Sequence, residues 1–315
     1  MDTENAGGHP YAGLLVIDKP AGITSRDCVN QVERVLRRLF PKPAKLPKVG
    51  HAGTLDPLAT GVLVVGVGAG VRLVPYIQDL AKTYEAVFRF GCSTVTGDLE
   101  GELIVEADAD VPSLESIEHA AQCLTGNISQ TPPATSAVRI QGKKAYKYAH
   151  QGQAVTVPSR VVRIDGIETQ HYQYPNVGMR VQCGSGTYIR TLGMDLAKLC
   201  GTTAVMTSLR RTAIGHFALR QSSLLDEITE DSLAQRMLPL ADGVVHLPSL
   251  HASESDISTL CHGVKIPIGE HDDDVAETLE KKHFSVIDTR GLLRAIVRVD
   301  NGFWKPYRVF HHPAG

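Results

Sequence analysis

The chain has 315 residues, enough for about two domains of roughly 150 residues and a sizeable core, which excludes a lone small module. With 43% hydrophobic and 21% charged residues, its composition is that of a soluble globular protein and excludes a fibre or a long disordered tail. The net charge of -2 taken alone argues against a polyanion partner, but it hides strong segregation.

Eight basic residues (Lys19, Arg26, Arg34, Arg37, Arg38, Lys42, Lys45, Lys48) stand against only Asp27 and Glu33 in the first basic segment. Six more (Arg139, Lys143, Lys144, Lys147, Arg160, Arg163) form a second segment without acids, and the acidic excess lies at 98–118 and 270–280. Such blocks suit solvated faces. Interleaved with Tyr146, Tyr148 and the amide-rich 150–153, the basic ones equally suit nucleic acid, with cations on phosphates and aromatics on bases.

In chain order, residues 1–13 are polar and lack a basic start followed by an apolar run, so no secretory signal is read and a cytoplasmic protein is expected. Residues 13–17 read as a strand ending in the turn Asp18-Lys19-Pro20-Ala21-Gly22. Ser25 can cap a helix with Val29, Val32, Val35, Leu36 and Leu39 at helical spacing, and Pro41, Pro43 and Pro47 make a stiff lysine-rich connection. The run 62–71 is about half a membrane span, is broken by Gly66, Gly68 and Gly70, and reads as a buried strand and turn.

Tyr84, Ala86, Phe88 and Phe90 alternate along a strand, and Ser113 can cap a helix closed by Gly126. From Thr131-Pro132-Pro133 a polar stretch runs to Arg160, with a short helix predicted at 144–151. Strands are predicted at 161–167 and 179–183, and Thr187 can cap a helix over 188–199. After Pro239 the texture turns to short β runs at 264–268, 284–287, 292–299 and 304–310, which puts a boundary near Gly243. The mixed order predicts an α+β fold with a mixed, mostly antiparallel sheet flanked by helices.

Several tempting motifs fail. Gly66-Val67-Gly68-Ala69-Gly70 lacks the third glycine of a dinucleotide loop, Gly142-Lys143 lacks the rest of a phosphate loop, and Ser185 lacks the first glycine of a nucleophile elbow. The six cysteines form no C-x-x-C pair and predict reduced, mostly buried thiols. His311-His312 sits near the chain end. No metal and no cofactor are expected.

One loop stands apart. His51-Ala52-Gly53-Thr54-Leu55-Asp56-Pro57-Leu58-Ala59-Thr60-Gly61-Val62-Leu63 gathers a histidine and a carboxylate on a glycine-hinged turn that can approach a ligand closely. On local grounds Asp56 also fits a turn cap before Pro57. The loop resembles the signature of the TruB family, bacterial tRNA pseudouridine synthase B. Five further blocks agree in order: the Lys19-to-Ser25 turn, Lys82-Thr83-Tyr84, Ser136-Ala137-Val138-Arg139 onward to Gly152, Gly186-Thr187-Tyr188-Ile189-Arg190-Thr191-Leu192, and Leu209-Arg210-Arg211 followed by Gly215. The likeness spans roughly residues 14–240.

The resemblance implies isomerisation of uridine 55 in the tRNA T-loop to pseudouridine. It puts the nucleophile on Asp56, its arginine partner on Arg190, the stacking tyrosine on Tyr84, a base-displacing histidine on His51, and further substrate contacts on Tyr188 and Leu209. Lys19, Arg38, Lys143 and Lys147 are expected to meet RNA phosphates. The implied division is a tail at 1–12, a catalytic domain at 13–243 with an RNA-binding insertion at about 132–160, and a PUA-like domain at 244–315. The expected partner is the tRNA T-arm, bound by a monomer away from membranes. Val95, Gly184 and His150 depart from the family's usual residues.

From residue type alone, Tyr84 is equally a strand aromatic, Arg190 a helix-surface cation, and Tyr188 and Leu209 core residues. An ionised aspartate can attack the uracil ring or the anomeric carbon, and both remain open. An RNA-folding chaperone without chemistry, and a synthase acting on another RNA, are the rival readings.

Overall fold

The first strand, β1 (Gly13–Lys19), is buried along nearly its whole length because both of its faces are covered: Leu15 and Ile17 pack in one apolar cluster, Leu14 and Val16 in another. The computed structural model describes residues 11–99, 101–106, 110–133, 157–268 and 282–312, with the strand backbone of 139–140 and 143–144. The predicted helix at 144–151, Lys147, the Lys143 side chain and the acidic run at 270–280 lie outside the described residues.

After β1 comes α1 (Ser25–Leu39), whose buried Cys28, Val29, Val32, Val35 and Leu36 line one face. Each such aliphatic side chain contributes about 1.5–3 kcal/mol by leaving water. Its cap differs from expectation. Thr24, not Ser25, accepts the Asp27 amide, and Asp27 returns the bond to the Thr24 amide to complete a capping box.

There follow β2 (Val49–His51), β3 (Thr60–Val67), α2 (Val74–Asp79), β4 (Lys82–Phe90), β5 (Cys92–Ser93) and β6 (Ile104–Val105). Next are α3 (Leu114–Cys123), β7 (Gly126–Gln130), β8 (Arg139–Ile140), β9 (Lys143–Lys144), β10 (Arg160–Gln173), β11 (Asn176–Cys183) and α4 (Ile189–Leu199). Then come β12 (Ala204–Ile214), β13 (Phe217–Ala218), β14 (Ser223–Leu224), α5 (Leu233–Arg236) and α6 (Glu254–Cys261). The C-terminal strands are β15 (Ile266–Pro267), β16 (His283–Ile287), β17 (Leu293–Asp300) and β18 (Phe303–Val309).

The main sheet runs β14-β1-β3-β12-β4-β11-β10-β7, with β2 on β3 and β13 on β12. Only β1/β14 and β3/β12 pair in parallel, so the sheet is mixed and mostly antiparallel. A second, wholly antiparallel sheet runs β15-β18-β17-β16. Its Leu293, Ile296 and Phe310 share a cluster with Leu14, Leu73, Ile77 and Val244, so apolar packing is continuous between the two sheets.

Two close approaches bring β3, β4, β12 and α4 together. Strand β12 lies between β3 and β4, with Arg211 opposite both Gly61 and Tyr84. Gly61 has φ +101° there, and a Cβ would run into the Arg211 carbonyl oxygen. Likewise a Cβ on Gly193 would run into the Phe88 ring, so glycine lets α4 settle on β4. One turn earlier on that helix stands Arg190.

Candidate active site

Residues 52–59 link β2 to β3 without regular structure, yet partners from distant elements hold the backbone. The Ala52 amide donates to the Val64 carbonyl at 2.8 Å, and Arg211 Nη2 donates to the Gly53 carbonyl at 3.1 Å. Ser25 Oγ accepts from the Leu55 amide at 2.8 Å and donates to the Leu55 carbonyl at 3.1 Å. The Pro57 carbonyl receives the Gly22 amide at 2.8 Å and Lys19 Nζ at 3.3 Å. Leu55 is buried, anchoring the loop in the main core, while the Asp56 side chain keeps 38% of its surface exposed.

This corrects two expectations. Lys19 is not an RNA phosphate contact: its side chain is fully buried and its ammonium ties the Pro20, Ile23 and Pro57 carbonyls together. Burial lowers its pKa from the usual lysine value. Ser25 is not a cap, because its hydroxyl is committed to Leu55, thirty positions along the chain.

Arg190 faces the loop from the first turn of α4. Its Nη2 lies 3.1 Å from Asp56 Oδ2, and its Nη1 lies 2.7 Å from Asp98 Oδ2 and donates to the Thr96 carbonyl at 3.1 Å. Asp98 is buried and its Oδ1 accepts from Thr96 Oγ1 at 2.7 Å, while Thr94 Oγ1 donates to its carbonyl at 2.9 Å. A planar guanidinium thus bridges one buried and one accessible carboxylate. This geometry sets a cation against Asp56 where a ligand can reach it.

Tyr84 sits on β4 in the same core cluster as Leu55, Ile189 and Leu209. Burial pushes its phenol pKa up, and the Arg211 guanidinium beside it draws it partly back. Leu209 pairs across the sheet with Ala86. Tyr188 precedes α4: its amide donates to Gln130 Oε1 at 2.8 Å, Gln130 Nε2 donates to its carbonyl at 3.0 Å, and the Arg160 guanidinium covers its ring at 4.9 Å. Thr187 does not cap this helix, since its hydroxyl donates to the Gly184 carbonyl. His51 ends β2 opposite Val65, half-buried at the entrance to the loop.

Asp56 and Arg190 therefore come into direct contact, Tyr84 and Leu209 share a cluster with the loop's Leu55, and His51 and Tyr188 flank the arrangement. Arg38 lies apart, exposed on α1 and paired with Glu230 at 3.0 Å. Three contributors escaped sequence reasoning: Asp98, Ser25 and Arg211. Asp98 counts locally as the start of an acidic block, although Thr94-Val95-Thr96-Gly97-Asp98 supplies two hydroxyls and a turn around one carboxylate, a pattern suited to a buried acid.

Among the described residues no group of three or more His, Cys, Asp or Glu side chains is placed to hold a metal ion, and no helix is long and apolar enough to cross a membrane. The six cysteines are unpaired, with Cys28, Cys92 and Cys183 buried. Burial pushes the Cys28 and Cys183 thiols up to about 11, which makes both poor nucleophiles.

The architecture recurs in solved structures. A chain from the crystal structure of a Cbf5-Nop10-Gar1 complex superposes with a TM-score of 0.72, covering 96% of this chain and 86% of that one at 23% identity. A family described as TruB family pseudouridylate synthase (N terminal domain) matches residues 37–189, and relatives that align over most of the chain give the class, that of the pseudouridylate synthases. The tRNA pseudouridine synthase B of Rhodopirellula baltica is 35% identical, the alignment covering 96% of each chain. That of Thermobifida fusca is 38% identical over 82% of this chain and 88% of its own. The chain belongs to the TruB family, that of tRNA pseudouridine synthase B.

Proposed function

We propose that the chain converts the uridine at position 55 of the tRNA T-loop to pseudouridine, without a cofactor, as a cytoplasmic monomer. The observation that carries this reading is the accessible Asp56 carboxylate, held 3.1 Å from a guanidinium that a second, buried acid braces. In the reaction the N1–C1′ bond breaks and a C5–C1′ bond forms. C5 loses its proton and N1 ends protonated, so substrate and product are isomers and no redox partner or phosphate donor is required.

A base within a structured loop must first be extruded, at a cost of a few kcal/mol. Tyr84 offers the everted uracil an aromatic face, a stacking contact of about 1–3 kcal/mol, and His51 fills the place the base leaves. Arg190 sets its guanidinium against the Asp56 carboxylate, the group that adds to the substrate and later leaves. Tyr188 and Leu209 make further contacts to the everted nucleotide. Arg38, Lys143 and Lys147 meet T-arm phosphates, which fix register while loop shape and the everted base select the site. The division at 13–243 and 244–315 gives the C-terminal sheet the role of a PUA-like module on the same tRNA.

The test is incubation of the purified chain with unmodified tRNA transcripts and with transcripts whose uridine 55 is replaced, followed by mapping of modified positions. One pseudouridine, at 55, and none in the replaced transcript is the expected result. Modification elsewhere would mean a different RNA target, and none in either transcript would overturn the catalytic reading in favour of RNA binding alone.

A further inference from the structure

Besides Arg190, which pairs with two acids, three cations are buried near the Asp56 loop or at the start of the Tyr84 strand, and their charges are handled differently. Lys19, Lys82 and Arg211 are each less than a tenth exposed, and their hydrogen bonds among the described residues go to carbonyl oxygens and, for Arg211, also to the Tyr84 hydroxyl, all of them neutral groups. Buried charge without an acid partner is costly and is retained where it does something that an apolar side chain would not. Lys82 binds carbonyls beside its own turn, and Lys19 adds to its own turn a single bond to the loop, at the Pro57 carbonyl. Arg211 is different, because it reaches across three strands.

Arg211 Nε donates to the Val62 carbonyl at 2.8 Å and Nη2 to the Gly53 carbonyl at 3.1 Å, so one side chain binds both ends of the loop that carries Asp56. Its backbone pairs with Gly61 on one side and Tyr84 on the other. The same guanidinium lies beside the Tyr84 hydroxyl and draws down the pKa that burial pushes up. The nucleophile's loop and the aromatic seat of the base are thus referenced to one rigid, planar group.

We infer that Arg211 is a positioning residue for the isomerisation, locking the spacing between the Asp56 loop and the Tyr84 ring. The inference rests on the pseudouridine synthase reading. Arg211 touches no reacting atom. It acts by holding the acid and the stacking face in register, and a misplacement of about 1 Å between such groups costs on the order of a hundredfold in rate.

The test uses the full chain with Arg211→Lys, which keeps the charge but loses the fork, and Arg211→Met, which loses both. Three quantities are read: thermal unfolding, the single-turnover rate set against tRNA affinity, and the 19F resonance of 3-fluorotyrosine placed at position 84. For Arg211→Lys the expected result is tRNA affinity within about threefold of the parent, a turnover rate reduced by about a hundredfold, and a displaced Tyr84 resonance. In Arg211→Met that resonance titrates at higher pH than in the parent; where this variant does not fold, Arg211→Lys carries the test alone.

Turnover within threefold of the parent together with an unmoved Tyr84 resonance would overturn the inference. So would rate and affinity falling together in proportion to lost thermal stability, which is the mark of a merely structural arginine. A parent chain that makes no pseudouridine would instead defeat the functional reading, while the resonance comparison would still report whether Arg211 sets Tyr84.

Discussion

Asp98 holds Arg190 through the nitrogen that Asp56 does not use, with Asp98 Oδ2 2.7 Å from Arg190 Nη1 and the carboxylate buried behind it. The buried acid fixes the guanidinium's orientation and leaves Nη2 turned to Asp56 at 3.1 Å. Asp98→Asn is expected to lower the single-turnover rate by tenfold or more with tRNA affinity unchanged, because the altered group lies behind the pair rather than on the RNA side. Asp98→Ala removes one partner of a buried ion pair and is expected to cost about 3–5 kcal/mol in urea unfolding. An Asp98→Asn rate equal to the parent's would deny the brace any role.

Lys82 gives a pH signature. Burial, with Arg211 nearby, lowers its pKa from 10.5 to about 8. The unfolded chain therefore holds this proton more tightly, and between pH 8 and 10.5 it binds more protons than the native state, so stability attributable to Lys82 rises with pH through that window and is lowest below it. Relative to Lys82→Met, the parent is expected to gain on the order of 3 kcal/mol between pH 7 and pH 10.5. Urea titrations of both proteins at those two pH values check the sign; a difference that is flat or falls with pH contradicts it.

Gly61 tests the crossing of β3 and β12. With φ +101° and the Arg211 carbonyl oxygen in the way of any Cβ, Gly61→Ala should destabilise by at least about 2 kcal/mol. Denaturant midpoints measure this directly, and a midpoint matching the parent's would show that the strands separate without cost.

Arg38 reports on the RNA face. Its side chain is 67% exposed and its bond to Glu230 is a surface pair, worth at most about 1 kcal/mol. Arg38→Ala is therefore expected to leave stability nearly unchanged and to lower the slope of log affinity against log salt by about 1. An unchanged slope takes this residue off the interface.

Legibility in the sequence depends on the range of the interactions. Helix α1 shows itself in the spacing of its valines, and β4 in the alternation of Tyr84, Ala86, Phe88 and Phe90, because one buried face imposes a period. Strand β12 does not announce itself, although it lies at the centre of the sheet: Thr207-Ser208 and Arg210-Arg211-Thr212 interrupt its apolar run. Its charges are satisfied from other strands and from the Asp56 loop, Arg210 by Asp18 and Thr60, and Arg211 by Val62 and Gly53. Lys19, Ser25 and Asp98 mislead for the same reason. Locally they read as a surface cation, a cap and one member of an acidic block, while their partners lie up to 92 positions away. The Asp56 loop was legible through motif resemblance, and its clamps only through three-dimensional contact.

The central claim is that the Asp56 carboxylate carries the chemistry. Its most direct test is a single-turnover assay of pseudouridine formation on unmodified tRNA by the parent chain and by Asp56→Asn, with tRNA affinity measured in parallel and no cofactor added. The expected result is complete conversion of one uridine per tRNA by the parent, and none by Asp56→Asn at nearly unchanged affinity. Substantial isomerisation by Asp56→Asn would contradict the account.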